Sequence, residues 1–523
     1  MKEALMGIET EYGIHCNIAR LHGLLGSNEN YATLALKQVG LLLPEDDYFV
    51  CSFRTPEFWT RAGMRLYRDT GDHIEAATSE CGTFEELIFQ KNVADCLVAA
   101  LVGKAREFLR GHPYNYDGLF EVYANNTAID FDGHGSKSEI SFGRHENYLL
   151  RRDLILKSLG PQFHFDFILE NCGYFFAARP LLGGSGHINP EGNFILSPRS
   201  EWVKQEMGGA TTSSRALVNT RDEPHAECEK FLRYHHTAGD TNITDNITRM
   251  KMAFTYWVLR LLELGWRAPN WLVIEKRELS KYDENLMVVK WGINNNPFLD
   301  KVYVVGGKRV SAADILIFYL EEVDKYRKEL RFEAEDDEIF QDVSSYLKRA
   351  QTGSKALFGE SEWATKHILM LRKMGKKVKS FSHPVLKKLS LVLHDLNRNP
   401  EQNLFLGFRN KVLPPNIEIS DLVKACRRAP KTRAFVRGLG FYLANKLGAA
   451  ITTNSGNDWA SVSTVAPRGK DSTSYLFNKE KPWQVTKADI CGIVKFVKLA
   501  AIECPKDKSS SGYISLPDQS CAG

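Results

Sequence analysis

The chain lacks an excess of charge of either sign. In 523 residues, 68 Lys and Arg stand against 64 Asp and Glu, a formal net charge of +4. That balance does not predict wholesale binding to nucleic acid or membrane, so charge-driven function has to sit in local patches. No stretch reaches the roughly 18 consecutive apolar residues of a transmembrane helix, and Met1 to Met6 opens no leader-like apolar run. The ten cysteines are scattered singly, with no C-x-x-C pair. This argues against zinc ribbons and thioredoxin-like motifs and suits reduced thiols in the cytoplasm. No P-loop occurs, and no G-x-G-x-x-G opens a helix after a strand. Gly183-Gly-Ser-Gly186 has the chemistry of a plain loop. A nucleotide would therefore sit on something other than a P-loop or a Rossmann fold.

Apolar residues make up 43% and charged residues 25%, the mix of a folded soluble protein. The length exceeds the roughly 250–300 residues at which one core stops growing, so two domains are expected. Ile8, Thr10, Tyr12 and Ile14 alternate with Glu9, Glu11 and Gly13 in a first strand. Met64–Asp69 and His73–Thr78 read as a hairpin around Thr70-Gly71-Asp72. Phe84 to Arg106 reads as an amphipathic helix, and Ile247 to Leu264 as a buried one. Val302–Val305 and Gly306-Gly307 predict a strand and tight turn, with Ser311 capping the next helix. The acidic run Glu333–Glu338 reads as a solvated loop or helix start. A boundary is expected near 397–415, where prolines and polar residues cluster. No internal repeat is present.

Acidic side chains on the inner face of a strand are costly unless something positive meets them. Glu9 and Glu11 share a face, about 7 Å apart by strand geometry. Arg65, Tyr67 and Asp69 share one, as do His73, Glu75 and Ala77. In a single sheet these would form one polar face, either open to water or suited to magnesium and a nucleotide. Mg²⁺ takes carboxylate, phosphate and water oxygens, arginine neutralises phosphate, and Asp69 could accept a proton. Asn125-Asn-Thr127, Arg144-His-Glu-Asn-Tyr148 and Asn219-Thr-Arg-Asp-Glu-Pro-His225 are dense polar strings that either line a site or cap loops. The basic stretches Lys366–Lys388 and Lys424–Arg437 are either solvated faces or docking patches for an acidic partner.

Several strings resemble, in order, the prokaryotic ubiquitin-like protein (Pup) ligase family, which groups ligase and deamidase/depupylase branches and is related to glutamine synthetase. They are Met6-Gly-Ile-Glu-Thr-Glu-Tyr-Gly13, Arg65-Leu-Tyr-Arg-Asp-Thr-Gly71, Glu75-Ala-Ala-Thr-Ser-Glu-Cys81, Asn125-Asn-Thr127, His145-Glu-Asn-Tyr-Leu149 and Asn219-Thr-Arg-Asp-Glu-Pro-His-Ala226. Gly306-Gly307, His394-Asp395 and Asp458-Trp459 follow. The resemblance implies an α+β fold, with a large glutamine-synthetase-like domain, a curved antiparallel sheet backed by helices, and a small C-terminal domain. The expected limits are 1–400, 401–505 and a flexible tail over 506–523. It also implies ATP and Mg²⁺ as cofactors, with Glu9, Tyr67 and Glu75, assisted by Glu11, at the metal. Arg65, Thr78 and Trp459 are expected at the nucleotide, Asp69 as catalytic base, and Arg221 and His225 in the phosphate-transfer region.

The implied reaction phosphorylates the terminal glutamate side chain of a small acidic Pup-like modifier and transfers it to a lysine of a target protein. Gly7-Ile-Glu-Thr-Glu11 and the short stretch from Gly13 to Met64 resemble the ligase branch. Ile74 and Ala76 depart from the family pattern. The alternatives are a deamidase/depupylase of the same fold, a ligase for another carboxylate, or a basic-surface binding protein without catalysis. No membrane or nucleic-acid partner is expected.

Overall fold

The computed structural model describes all residues except 1–4, 17–29, 53–55, 112–113, 119, 125–126, 132–136, 157–163, 212–214, 274–284, 397–404, 406–416, 454–460, 465–472, 478 and 504–523. Asn125, Asn126, Asp458, Trp459, most of the 397–415 boundary and the 506–523 tail lie outside the described residues. The expected α+β architecture is present.

Eight strands form the main sheet: β1 (Met6–Cys16), β2 (Tyr48–Ser52), β3 (Glu57–Thr60), β4 (Arg65–Arg68), β5 (Ile74–Ala77), β6 (Phe120–Tyr123), β7 (Arg144–Arg151) and β8 (Phe231–His236). Their spatial order is β8-β7-β1-β5-β4-β3-β2, and β6 pairs with the C-terminal half of β1. Every pairing is antiparallel. The β4–β5 hairpin turns where Gly71 (φ 91) and Asp72 (φ 64) adopt left-handed conformations, a geometry that glycine and aspartate tolerate best.

The sheet is backed by α1 (Phe84–Arg110), α2 (His164–Ala178), α3 (Asp245–Glu263), α4 (Ala312–Lys325), α5 (Ala334–Ala350) and α6 (Glu362–Lys373). Thr83 caps α1 by accepting from the Glu86 amide at 3.1 Å, and Glu85 and Glu86 complement the dipole in its first turn. α1 runs one turn beyond the expected Arg106. Ser311 closes a capping box with Asp314 at α4. The acidic run begins α5, with Glu333 as its N-cap.

Alternation along β1 divides the molecule. Ile8 and Tyr12 face the helices, 1% and 0% exposed, and the Tyr12 hydroxyl donates to Asp95 on α1 at 2.7 Å. Ile8 belongs to one apolar core with α2, α3, α4 and α5. Tyr12 belongs to a second with α1 and Leu422, Ala425 and Cys426 of the Ile419–Arg427 helix. Each fully buried large apolar side chain contributes about 1.5–3 kcal/mol. In α6, buried His367 packs its ring among Phe194, Phe298 and Phe381, at 4.7, 4.9 and 5.7 Å between centroids.

A third core joins α7 (Arg433–Leu447) and α8 (Lys487–Glu503) to a three-stranded antiparallel sheet of Ile451–Thr452, Ser461–Thr464 and Ser474–Leu476. It abuts the main sheet through β2 and β3, where Phe49 stacks on Phe441 at 4.6 Å and Trp59 packs beside it. The basic stretches are partly structural. Lys366 is 1% exposed, its ammonium donating to the Gly186 carbonyl at 2.7 Å and meeting His394 Nε2 at 2.8 Å. Arg433 and Arg437 are also buried. A surface patch can use Lys373, Lys376, Lys377, Lys379, Lys387 and Lys388, which are exposed.

Candidate functional site

The odd-numbered side chains of β1 line the opposite face of the sheet. Register places Glu9 beside Ala77 and Glu11 beside Glu75 on β5. Ala77 in turn meets Arg65, and Glu75 meets Tyr67, on β4. Cross-strand neighbours on one face lie about 5 Å apart, so the hairpin expectation brings Glu9, Glu11, Arg65, Tyr67 and Glu75 together. The face is not an ordinary water-facing side of a sheet: Glu11, Arg65 and Glu75 are 6%, 7% and 3% exposed.

The other flank comes from β7 and β8. His145 pairs with Glu9 across β1–β7, and β8 adds Arg233 and His235. Glu9 accepts from Asn147 Nδ2 at 3.2 Å and Arg233 Nη2 at 3.1 Å, and it lies 3.3 Å from both His145 Nδ1 and His235 Nε2. Burial pushes the Glu9 carboxyl up, but Arg233, His235 and His145 outweigh it and hold it well below the usual range. Glu11 takes the Gly143 amide at 2.5 Å. It faces Arg199 Nη1 at 3.5 Å and His145 Nε2 at 3.6 Å. These positive partners and His73 overcome burial and lower its carboxyl too.

Glu75 forms no ion pair within 4 Å among the described residues, and Arg199 reaches it only at longer range. Burial, then the charges of Glu9, Glu11 and Asp69, push its carboxyl well above the usual range, against a hydrogen bond from Tyr67. The Tyr67 phenol is raised by burial and by Glu75. Three carboxylates with one forced toward neutrality is the electrostatic state that a divalent cation relieves. Two groups fit an ion by distance: Glu9 with His145 and His235, and Glu11 with Asp69 and His73, the ligand atoms of each lying within 4.8 Å of one another. His73 is buried, and neither ring nitrogen makes a hydrogen bond among the described residues. Its Nε2 stands 4.0 Å from Glu11 and 3.8 Å from Asp69.

An open cavity lies at the Glu9 end of the face. Ala77 and Pro224 are among its apolar lining residues, and Thr78, Asn147, His225 and Arg233 among its polar ones. Thr78 Oγ1 also accepts from the Ile8 amide at 3.0 Å, tying the cavity floor to β1. Asp69 lies at the other end of the face, beyond the Glu11–Glu75 row, with its side chain one-third exposed. Arg65 Nε donates to Glu57 at 2.9 Å and its guanidinium lies 4.2 Å from the Tyr67 ring centroid.

Of the expected residues, Glu9, Glu11, Arg65, Tyr67, Glu75 and Asp69 lie along this face, and Thr78 and His225 line the cavity. Arg221 does not join them: it is exposed and pairs with Glu223 at 3.0 Å. Sequence reasoning missed Arg199, Arg233 and His235 and placed His145 and Asn147 only in a polar string. Alternation in Arg144–Arg151 and Phe231–His236 carried the signal for the strand residues. Arg199, in the short helix Pro198–Glu201, carried none.

An antiparallel sheet cupping buried carboxylates between histidines and arginines defines a class of catalytic cradle suited to divalent cations and phosphate. The family model described as Pup-ligase protein matches residues 4–463. A Pup–protein ligase of Corynebacterium diphtheriae is 30% identical over 475 residues, covering 88% of this chain and 89% of the relative. One of Geodermatophilus obscurus is 28% identical over 416 residues, 79% and 83% of the two chains. Among solved structures, the fold resembles the Pup ligase PafA in its complex with Pup (TM-score 0.71, 23% identity, 95% of this chain and 92% of that one). It also resembles PafA in complex with ADP (TM-score 0.66, 23% identity, 85% and 90%). The chain belongs to the Pup ligase family.

Proposed function

We propose that the chain is an ATP- and Mg²⁺-dependent ligase that joins the C-terminal glutamate side chain of a small acidic Pup-like protein to a lysine of a target protein. The observation that carries this is a linear site: an open cavity at Glu9, the Glu9–Glu11–Glu75 carboxylates in the middle, and Asp69 at the far end. The family, relatives named Pup–protein ligase, and the likeness to PafA solved with Pup and with ADP support the reading. No described helix is long and apolar enough to cross a membrane, which suits a cytoplasmic setting.

Glu9, Tyr67 and Glu75 would hold Mg²⁺, with Glu11 assisting and His145 and His235 beside Glu9. Bound there, the ion supplies charge neutralisation on the phosphates. The cavity takes the nucleoside, with Thr78 and Trp459 as contacts and Arg65 facing the phosphates. His225, expected in the phosphate-transfer region, lines the cavity instead, and Arg221 lies exposed on the same loop. A γ-carboxylate oxygen of the modifier attacks the terminal phosphorus, the bond to the β-phosphate oxygen breaks, and ADP leaves an acyl phosphate. Lysine is mostly protonated near neutrality and cannot attack in that form. Asp69 accepts the proton as the amine attacks the acyl carbon. The carbon–oxygen bond to phosphate then breaks, inorganic phosphate departs, and an isopeptide bond remains.

The test is to incubate the protein with ATP, Mg²⁺, a lysine acceptor and Pup-like tags ending in glutamate or glutamine. One ADP per isopeptide, only with the glutamate tag, is the expected result. Ammonia from the glutamine tag without net ATP consumption would mark an amidohydrolase instead. ATP turnover indifferent to both tags would point to another carboxylate.

A further inference from the structure

The outer wall of the cavity is built by the loop Thr220–Ala226, which leaves the core strand Arg215–Asn219 and leads into β8. Its inner half is anchored within the main domain. The Arg221 amide donates to Asn219 Oδ1 at 2.8 Å, and Asp222 is held by the Arg152 guanidinium and the Arg233 amide. Its outer half, which carries Pro224 and His225 into the cavity lining, is held differently. His225 takes a left-handed backbone (φ 48), a conformation that a residue with a Cβ keeps only where its surroundings hold it.

The holder comes from the distant C-terminal elements. Arg433, the first residue of α7, donates Nη1 to the His225 carbonyl and Nε to Glu80 at 2.9 Å. It also lines the cavity, as Glu80 does. Its own position is fixed: its amide donates to the Pro482 carbonyl at 3.1 Å. The preceding Thr432 Oγ1 bonds the Glu80 carbonyl at 2.7 Å, and Arg437 makes two further bonds to the Glu80 carboxylate at 3.0 and 2.5 Å. Two more contacts run from the same C-terminal region to the end of the loop. The Glu227 amide donates to the Lys479 carbonyl at 3.1 Å, and Trp483 packs edge-on against Phe231 in a small apolar cluster with Ala226 and Leu5.

We propose that Arg433 is a positioning residue for nucleotide binding, acting through the His225 carbonyl to hold the Thr220–Ala226 loop as the closed wall of the cavity. Its planar fork suits the task, because one guanidinium spans the Glu80 carboxylate and the carbonyl at once, which a lysine ammonium does not. Glu80 keeps the fork aimed. The nucleotide site is thus assembled from both ends of the chain, and its affinity depends on how α7 is docked. The inference rests on the cavity being the nucleotide site.

The experiment measures ADP binding with Mg²⁺ and amide exchange over residues 219–227 in the full chain and in Arg433→Met, Arg433→Lys and Glu80→Gln. Loss of a charge-assisted hydrogen bond predicts ADP affinity at least about ten-fold weaker in Arg433→Met. Arg433→Lys is expected between that and the unaltered protein. Faster exchange confined to the loop is expected in Arg433→Met, with the exchange of β1 and α3 unchanged. Glu80→Gln, which keeps the side-chain shape, provides the same readout if Arg433→Met fails to fold, with affinity reduced and the loop loosened. A purely structural role would instead speed exchange across α7 and the main sheet with no loop-specific change, and that result overturns the proposal. So does unaltered ADP affinity in a folded Arg433→Met. Failure of the unaltered protein to bind ADP would overturn the functional reading itself.

Discussion

Replacing His367 by phenylalanine should make the protein more stable and less sensitive to acid. The ring is fully buried, its two nitrogens make no hydrogen bond among the described residues, and three phenylalanines surround it. Burial lowers its pKa from 6.5 to about 4, because removal from water disfavours the charged imidazole. The native state therefore keeps the ring neutral while the unfolded chain takes up a proton below about pH 6.5. The unfolded state binds more protons throughout that window, so stability falls as pH drops from about 6.5 to about 4.

Between about pH 7.5 and pH 5 the loss from this one group comes to about 2 kcal/mol. Removing two unsatisfied nitrogens from an aromatic cage adds about 1–3 kcal/mol in favour of His367→Phe at every pH. Urea unfolding of both proteins at the two pH values is the assay, read as the difference between them so that every other titrating group cancels. The expected pattern is a variant more stable at neutral pH, with the gap widening by about 2 kcal/mol at about pH 5. A gap that stays constant with pH refutes the assignment of acid sensitivity to this histidine. A variant less stable at neutral pH refutes the claim that its nitrogens are unsatisfied.

Asp69→Asn should fold normally, since the side chain is one-third exposed, and should slow isopeptide formation by about 10²–10⁴-fold. Tag-dependent formation of ADP in a single turnover should persist, and unchanged ligation would disprove its role as proton acceptor. Glu75→Gln should melt at the same temperature or higher, because it removes a buried carboxyl crowded by Glu9, Glu11 and Asp69. It should also cost at least about 10²-fold in Mg²⁺-dependent turnover, a split visible by pairing calorimetry with the ADP assay. Histidine nitrogens beside Glu9 suit a softer ion than magnesium, so Mn²⁺ should support turnover at lower concentration than Mg²⁺, which a metal titration of ADP release would check.

Much of the catalytic sheet was legible from local pattern. Glu9 and Glu11 alternate with Ile8, Thr10 and Tyr12, and the 64–78 hairpin is bounded by its own turn, so the β4–β5 register follows from short-range geometry. The residues that complete the site were hidden because pairing, not pattern, brings them in. His145 lies 136 residues from Glu9 in sequence and Arg233 lies 224 away. Both sit in alternating strands, but alternation does not say which distant strand pairs with β1. Polar strings suggested a site lining but could not say which side chains would meet Glu9. Basic runs misled in part: Lys366, Arg433 and Arg437 look like surface charge in one dimension and are buried partners of His394 and Glu80 in three.

β1 runs through the middle of the sheet, with Ile8 and Tyr12 serving the interior and Glu9 and Glu11 serving the chemistry. A shift of one residue in its pairing would send the carboxylates into the apolar interior and bring Ile8 and Tyr12 to the metal face. Misfolding by slippage is therefore also inactivation, and a misregistered molecule has no partially working form. Directed evolution of this strand should accordingly yield paired changes on neighbouring strands or none, because no position along Ile8–Tyr12 is free to drift alone.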